Sequence, residues 1–240
     1  MGAGEAVARG VTPPEVDLVG ELVGDVAGDL AGDLAGRLRQ ATWDLHREAE
    51  RSGVVALMLS GGMGREAYGL FLRNLLAVYE ALESGLDSAR DHAAVGTVAR
   101  GELYRGAALR DDLAALGGAD WAGRWPVLPE GRDYAAGIAA VAACDPLRLI
   151  AHAYVRYLGD LNGGRVLRRL VARALGLDAA GLAFYEFGGI ADLAAFATSY
   201  RRGFETLDLP EAGCRAIIEE ARQAFRHNIE LSRAVAAFGA

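Results

Sequence analysis

An all-α chain is what this sequence predicts, and three observations carry the prediction. Apolar residues recur at helical spacing almost without interruption from Leu34 onward. Residues that start or stop helices fall between the periodic runs. No run alternates with period two for long enough to build a sheet. The chain has 240 residues and 52% hydrophobic content, enough to bury one sizeable core. Together these features predict a single domain of packed helices.

Residues 1–33 are set apart as a Gly/Asp/Ala-rich, low-complexity tail, and residues 34–240 as the domain. Thr12-Pro13-Pro14 breaks any helix near the start. A tetrapeptide then recurs as Gly24-Asp25-Val26-Ala27, Gly28-Asp29-Leu30-Ala31 and Gly32-Asp33-Leu34-Ala35. Its period aligns Leu22, Val26, Leu30, Leu34 and Leu38 along one face. Each glycine opposes that helix by about 1 kcal/mol relative to alanine, so the segment reads as a marginal helix or a flexible lead-in.

Within the domain, helices are predicted over 34–50, 65–84, 100–116, 129–143, 146–175, 190–207 and 211–236. Gly117-Gly118 stops the third of these by supplying a left-handed residue. Asp145-Pro146 reads as an N-cap followed by proline at the first helical position. Pro210, after Asp208, opens the last helix.

Composition excludes several functions. The formal charge of −7 argues against a nucleic-acid partner, which requires a basic surface. Cys144 and Cys214 are too few for a disulfide framework or a cysteine-rich metal site, which makes the cytoplasm the default compartment. Acids and prolines occupy the N-terminus where a signal peptide needs an apolar core, and Ala234–Ala240 is too short to act as a membrane anchor. All 25 basic residues are arginines, so an anionic ligand must be held by guanidinium forks.

With only four histidines, each can be weighed. His92 sits in a polar connection and His227 beside Arg226 and Asn228, both read as surface residues. His152 lies on the apolar run Leu149–Tyr154 and reads as a hydrogen-bonded core histidine. His46 differs because Glu50 follows it by four residues on the same helical face. A carboxylate there can accept from Nδ1–H and fix the tautomer that leaves Nε2 for a metal. Arg39 shares that face and is suited to an anion beside such a metal. On spacing alone, a solvent-facing pair and a surface arginine is the alternative.

The run Tyr154-Val155-Arg156-Tyr157-Leu158-Gly159-Asp160-Leu161-Asn162-Gly163-Gly164 places three glycines in six residues of a helical pattern. Glycine is unfavourable inside a helix, so it must bring something: a kink, or a backbone able to approach a flat ligand. Asp160 needs partners if buried, and Tyr154, Arg156 and Asn162 are at hand for a polar network. Glycine-mediated packing beside a surface aspartate is the other reading. Farther on, Phe184-Tyr185-Glu186-Phe187-Gly188-Gly189 leads to a helix carrying Tyr200 and Arg201, where Arg201 can pair with a ligand carboxylate or face solvent.

At these residues the sequence resembles the haem oxygenases. Tyr154 to Gly164 matches the family's distal-helix run, and Ala41-Thr42, His46 and Ala49-Glu50 match its proximal region. Tyr79–Glu83, Ala107–Leu113 and Phe184-Tyr185-x-Phe187 follow as further landmarks in order, so the resemblance spans about 34–235. It implies the soluble bacterial type of helical bundle, with haem held between a proximal and a kinked distal helix. It also implies oxygen-dependent opening of haem to biliverdin, carbon monoxide and ferrous iron. Haem is then both cofactor and substrate, and O2 the co-substrate. His46 becomes the axial iron ligand and Glu50 its partner. Gly159, Gly163 and Gly164 cover the distal face, and Asp160 organises distal water with Tyr79, Tyr154 and Arg156 in support. Arg201 and Arg39 become propionate anchors. Trp43 and Ala197 stand where the family often has basic residues, so anchoring rests on fewer charges. Electrons must come from a donor such as ferredoxin or an NADPH-dependent flavoprotein reductase, because the chain has no flavin or nicotinamide fingerprint. A non-catalytic haem carrier or sensor would keep His46 without needing Asp160 and the glycines. A ferritin-like protein would need Glu-x-x-His repeats that the sequence lacks.

The tail repeat carries no aromatic residue, histidine or arginine. Removal of residues 1–30 is expected to leave haem affinity and turnover within about twofold, as measured by hemin titration and biliverdin yield. A large fall in affinity would place the tail over the site.

Overall fold

A computed structural model describes residues 33–238, and the architecture among them is entirely helical. Of the tail repeat, Asp33, Leu34 and Ala35 are described and the rest lies outside the described residues. Asp33 Oδ1 accepts from Gly36 N at 2.7 Å and caps the first helix, α1 (Leu34–Glu50). There follow α2 (Gly53–Ser60), α3 (Arg65–Ser88), α4 (Ala93–Val98), α5 (Gly106–Gly117), α6 (Trp121–Arg124) and α7 (Pro129–Cys144). A long composite helix comes next: a 3-10 turn at Pro146–Arg148, α8 (Leu149–Ala153), a π turn at Tyr154–Leu158 and α9 (Gly159–Leu175). A 3-10 turn at Ala183–Tyr185, then α10 (Leu193–Glu205) and α11 (Glu211–Phe238), complete it.

All seven predicted helices are present, and the differences have local causes. The short helices α2, α4 and α6 were not predicted, because 8, 6 and 4 residues are too few to display periodicity. The predicted start at 100 is a separate 3-10 turn, Gly101–Leu103, and α5 begins only at Gly106. Asp145 makes no side-chain cap, and Pro146 opens a 3-10 turn instead of the α-helix. Gly118 does end α5 with positive φ, but at φ 74 and ψ −162 it is in an extended region open only to glycine, not the left-handed helical one. Pro210 works as expected, its carbonyl accepting from Cys214 N at 3.1 Å.

The expected kink takes the form of the π turn. One extra residue per turn over Tyr154–Leu158 rotates the chain just before Gly159. This lets Val155, Arg156, Tyr157 and Leu158 all be buried, while Gly159 opens the next segment exposed.

Helix α3 runs through the middle, packed on α7 and α5. Its Tyr68, Leu72, Leu75 and Tyr79 are fully buried, as are Tyr134 and Ile138 of α7. Helix α11 closes the other side against α1, α2 and α8. Among the described residues no helix is long and apolar enough to cross a membrane.

The α3–α6 side has little room to spare. A Cβ on Gly69 would overlap the indole of Trp125, which is 3% exposed and donates to Glu66 Oε2 at 2.9 Å. Gly69→Ala should therefore cost about 1–3 kcal/mol through overpacking, read as a lower urea midpoint with an unchanged slope. An unchanged midpoint would show that the indole can move aside freely.

Candidate functional site

One large, mainly apolar cavity lies between α1 and the composite helix. On α1, Arg39, Trp43, His46 and Glu50 all line it, since steps of four, three and four residues keep to one face. The opposite wall is Tyr154, Val155, Arg156, Leu158, Gly159, Asp160, Asn162, Gly164 and Leu167. Phe71 and Leu75 of α3, Phe184 and Tyr185, and Phe225 and Asn228 of α11 close the sides.

His46 Nδ1 lies 3.5 Å from Glu50 Oε1, and its ring meets Phe225 edge-on at 5.9 Å. Both of those polar atoms are buried without a hydrogen-bond partner of good geometry. Burial pushes the imidazole pKa down; Glu50 opposes this and Arg39 adds to it. The neutral ring, the form that can ligate a metal, is thus the one favoured at neutral pH.

Asp160 sits across the cavity at the centre of a buried network. Tyr79 donates its hydroxyl to Asp160 Oδ2. Arg156 donates to the same tyrosine oxygen from Nε at 3.1 Å and Nη2 at 3.0 Å, and from Nη1 to Asn228 Oδ1 at 2.7 Å. Arg156 Nη2 is 3.9 Å from Asp160 Oδ1. Burial raises the Asp160 pKa, against the Arg156 charge, the Tyr79 hydrogen bond and the more distant Arg105 charge. Beside it, a Cβ added to Gly159 would meet nothing within 4 Å: the helix surface there is open space.

The structure sorts the predicted residues by position. His46, Glu50, Arg39, Tyr154, Arg156, Gly159, Asp160 and Arg201 all line the cavity. Tyr79 supports Asp160 from behind, fully buried. Gly163 is buried within α9, and the glycines of that helix that line the cavity are Gly159 and Gly164. Tyr154 stands apart from the Asp160 network, edge-on to Phe204 at 5.7 Å. Burial pushes its hydroxyl up to about 12, against the charges of Arg201 and Arg39. Arg39 lies over the Trp43 ring at 5.9 Å, and Asp33 and Glu205 also line the cavity.

His92 is exposed, as expected. His152 is a core histidine bonded to Glu220 Oε1 at 2.9 Å. His227 is only partly at the surface, with 21% of its side chain exposed. It stacks on Tyr134 at 5.3 Å and meets Gln223 at 3.1 Å. The sequence reading also missed Phe225 and Asn228. Their three-residue spacing on α11 was a usable signal, hidden by the charged neighbours Arg226 and Glu230.

An all-helical bundle that sets a histidine across a mainly apolar cavity from a buried carboxylate defines a class of haem protein. The haem oxygenase family profile matches residues 32–234. Heme oxygenase 1 of Synechocystis is 35% identical over 195 residues, which cover 81% of each chain. The human Heme oxygenase 1 is 36% identical over 197 residues, 81% of this chain and 68% of that one. The crystal structure of heme oxygenase-1 from Synechocystis in complex with heme superposes with a TM-score of 0.83 at 34% identity, covering 86% of this chain and 93% of that one. Heme oxygenase-2 from the same organism, in complex with heme and NO, gives 0.81 at 35% identity, covering 85% of each. The chain belongs to the haem oxygenase family and is an enzyme.

His46 is expected to titrate below the ordinary histidine value of about 6.5 in the ligand-free protein, and Glu50→Gln to push it lower still, because the raising charge is gone. Imidazole NMR signals followed against pH give both values. An upward shift in Glu50→Gln would contradict the geometry.

Proposed function

We propose that this haem oxygenase seats haem in the cavity between α1 and α9, with His46 Nε2 as the protein ligand to iron. One observation carries this reading: Nδ1 of His46 faces Glu50, which leaves the other ring nitrogen for a metal, while the backbone across the cavity is stripped of side chain at Gly159. Bound haem supplies the iron and is itself the substrate, opened with O2 and donated electrons to biliverdin, carbon monoxide and ferrous iron.

The protein's own residues divide the remaining work. Glu50 fixes the tautomer of His46 and strengthens it as a ligand. Tyr79 occupies Oδ2 of Asp160, which leaves Oδ1 to hold a water at the distal side. Arg156 and Asn228 keep that carboxylate in place, a condition for precise proton supply. Gly159 and Gly164 let the helix approach the porphyrin plane. Arg39 and Arg201 hold the propionates as guanidinium partners, and Tyr154, between their fields, is a third rim contact. The electron donor is a separate protein, a ferredoxin or an NADPH-dependent flavoprotein reductase, and residues 34–240 form the catalytic domain.

Hemin with a reductant and oxygen should lose its Soret band and yield a bilin absorbance. A carrier would keep the band, and loading without degradation would sink the catalytic reading. His46→Ala is expected to lose at least 90% of turnover with helicity unchanged, and added imidazole to restore part of it. Asp160→Ala should still take up hemin, yet form biliverdin at least tenfold more slowly. Wild-type rates in either variant would remove that residue from its role.

A further inference from the structure

The Ala183–Tyr185 turn has little regular structure of its own, yet Phe184 and Tyr185 form part of the cavity wall. Phe184 also meets Tyr79 edge-on at 5.7 Å. The turn's backbone is held from α5. Asp112, 1% exposed, accepts from Ala183 N at 2.7 Å through Oδ1 and from Phe184 N at 2.8 Å through Oδ2. Arg105, just before α5 and also buried, donates to Glu186 O at 2.5 Å and to Phe184 O at 3.5 Å. One side chain takes the turn's N–H groups and the other takes its carbonyls. Two buried charges need such bonds to offset their desolvation, and here the bonds converge on one wall of the site.

We propose that Asp112 is a positioning residue for the substrate: through two backbone amides it sets the Phe184–Tyr185 wall against haem, and its protonation releases that wall. The proposal rests on the reading of the cavity as the haem site. The charged and titratable groups that face Asp112 are Asp111 on its own helix, Glu186 (already bonded to Arg168 at 2.7 Å), Tyr185 and Tyr68. Tyr68 adds a tether by donating to Gly181 O at 2.9 Å. Burial pushes the Asp112 carboxyl up to about 6; the Phe184 and Ala183 N–H groups oppose this, and Asp111 and Glu186 add to it. The carboxylate therefore holds both amides at neutral pH and loses its charge as pH falls through about 6. A protonated carboxyl turns a hydrogen toward one of its two donors and forfeits that bond.

Amide hydrogen exchange on the haem-free chain, scaled to the unstructured rate at each pH, tests the clamp. In the wild type, protection at Ala183 and Phe184 should fall about tenfold between pH 7.5 and pH 5, the scale of one charge-assisted hydrogen bond. This series needs no substitution. In Asp112→Asn, protection should be low at both pH values, with α3 and α7 amides reporting that the bundle is intact. Asp111→Asn removes a neighbouring exposed charge but no bond: protection at pH 7.5 should match wild type, and its fall should move to lower pH because a raising charge is gone. Hemin affinity at pH 7.5, read at the Soret band, should be about tenfold weaker in Asp112→Asn, and the gap should close at pH 5. Equal exchange in wild type and Asp112→Asn would overturn the proposal, as would equal hemin affinity despite altered exchange. A wild-type chain that takes up no hemin would sink the haem reading itself, a failure visible without any variant.

Discussion

Everything at this site depends on keeping one buried carboxylate where it is. Asp160 is held by Tyr79, which is held in turn by two nitrogens of Arg156, whose third nitrogen is fixed by Asn228. Those four residues come from α3, the composite helix and α11, so the network also ties three helices around the cavity. Removing one partner of such a buried pair costs about 3–5 kcal/mol, a large part of a typical domain's stability. The arrangement couples the position of this carboxylate to the fold itself.

The opposite wall follows a different logic. His46 is shielded by Phe225 and set by Glu50, yet its own helix face is polar and half-open, with Arg39, Trp43 and Glu50 in line. A neutral imidazole needs only one fixed nitrogen and an open one, so a single i,i+4 contact suffices. The distal wall must place a charge, exclude side-chain bulk and bend. It needs three helices, two cavity-lining glycines and a π turn to do so.

The legible part of this protein was the part written in local spacing. The His46–Glu50 face and the glycine run are readable within eleven or fewer residues, and the structure brings His46, Glu50, Gly159 and Gly164 to one cavity while Gly163 stays inside its helix. The partners brought in from distant segments were harder to see. Asn228 reaches Arg156 across 72 positions, and Phe225 covers His46 from the last helix. Their three-residue spacing on α11 is a weak local sign, and the charged neighbours Arg226 and Glu230 hide it. Tyr79 was assigned to the network through the family resemblance, since a tyrosine in an apolar helix reads as ordinary core. The π turn was invisible because its dihedral angles stay in the helical range and only the hydrogen-bond register changes. His227 was misread for the reverse reason: polar neighbours in sequence do not exclude an aromatic partner in space.

The placement of the three tryptophans has an optical consequence. Trp121 and Trp125 sit together at the α3–α6 end, Trp121 under Arg73 and Trp125 bonded to Glu66. Trp43 alone among them lines the cavity, beneath Arg39. A porphyrin bound in that cavity would quench this indole by energy transfer. Trp43 thus makes intrinsic fluorescence a gauge of cavity occupancy, read from the cavity wall itself.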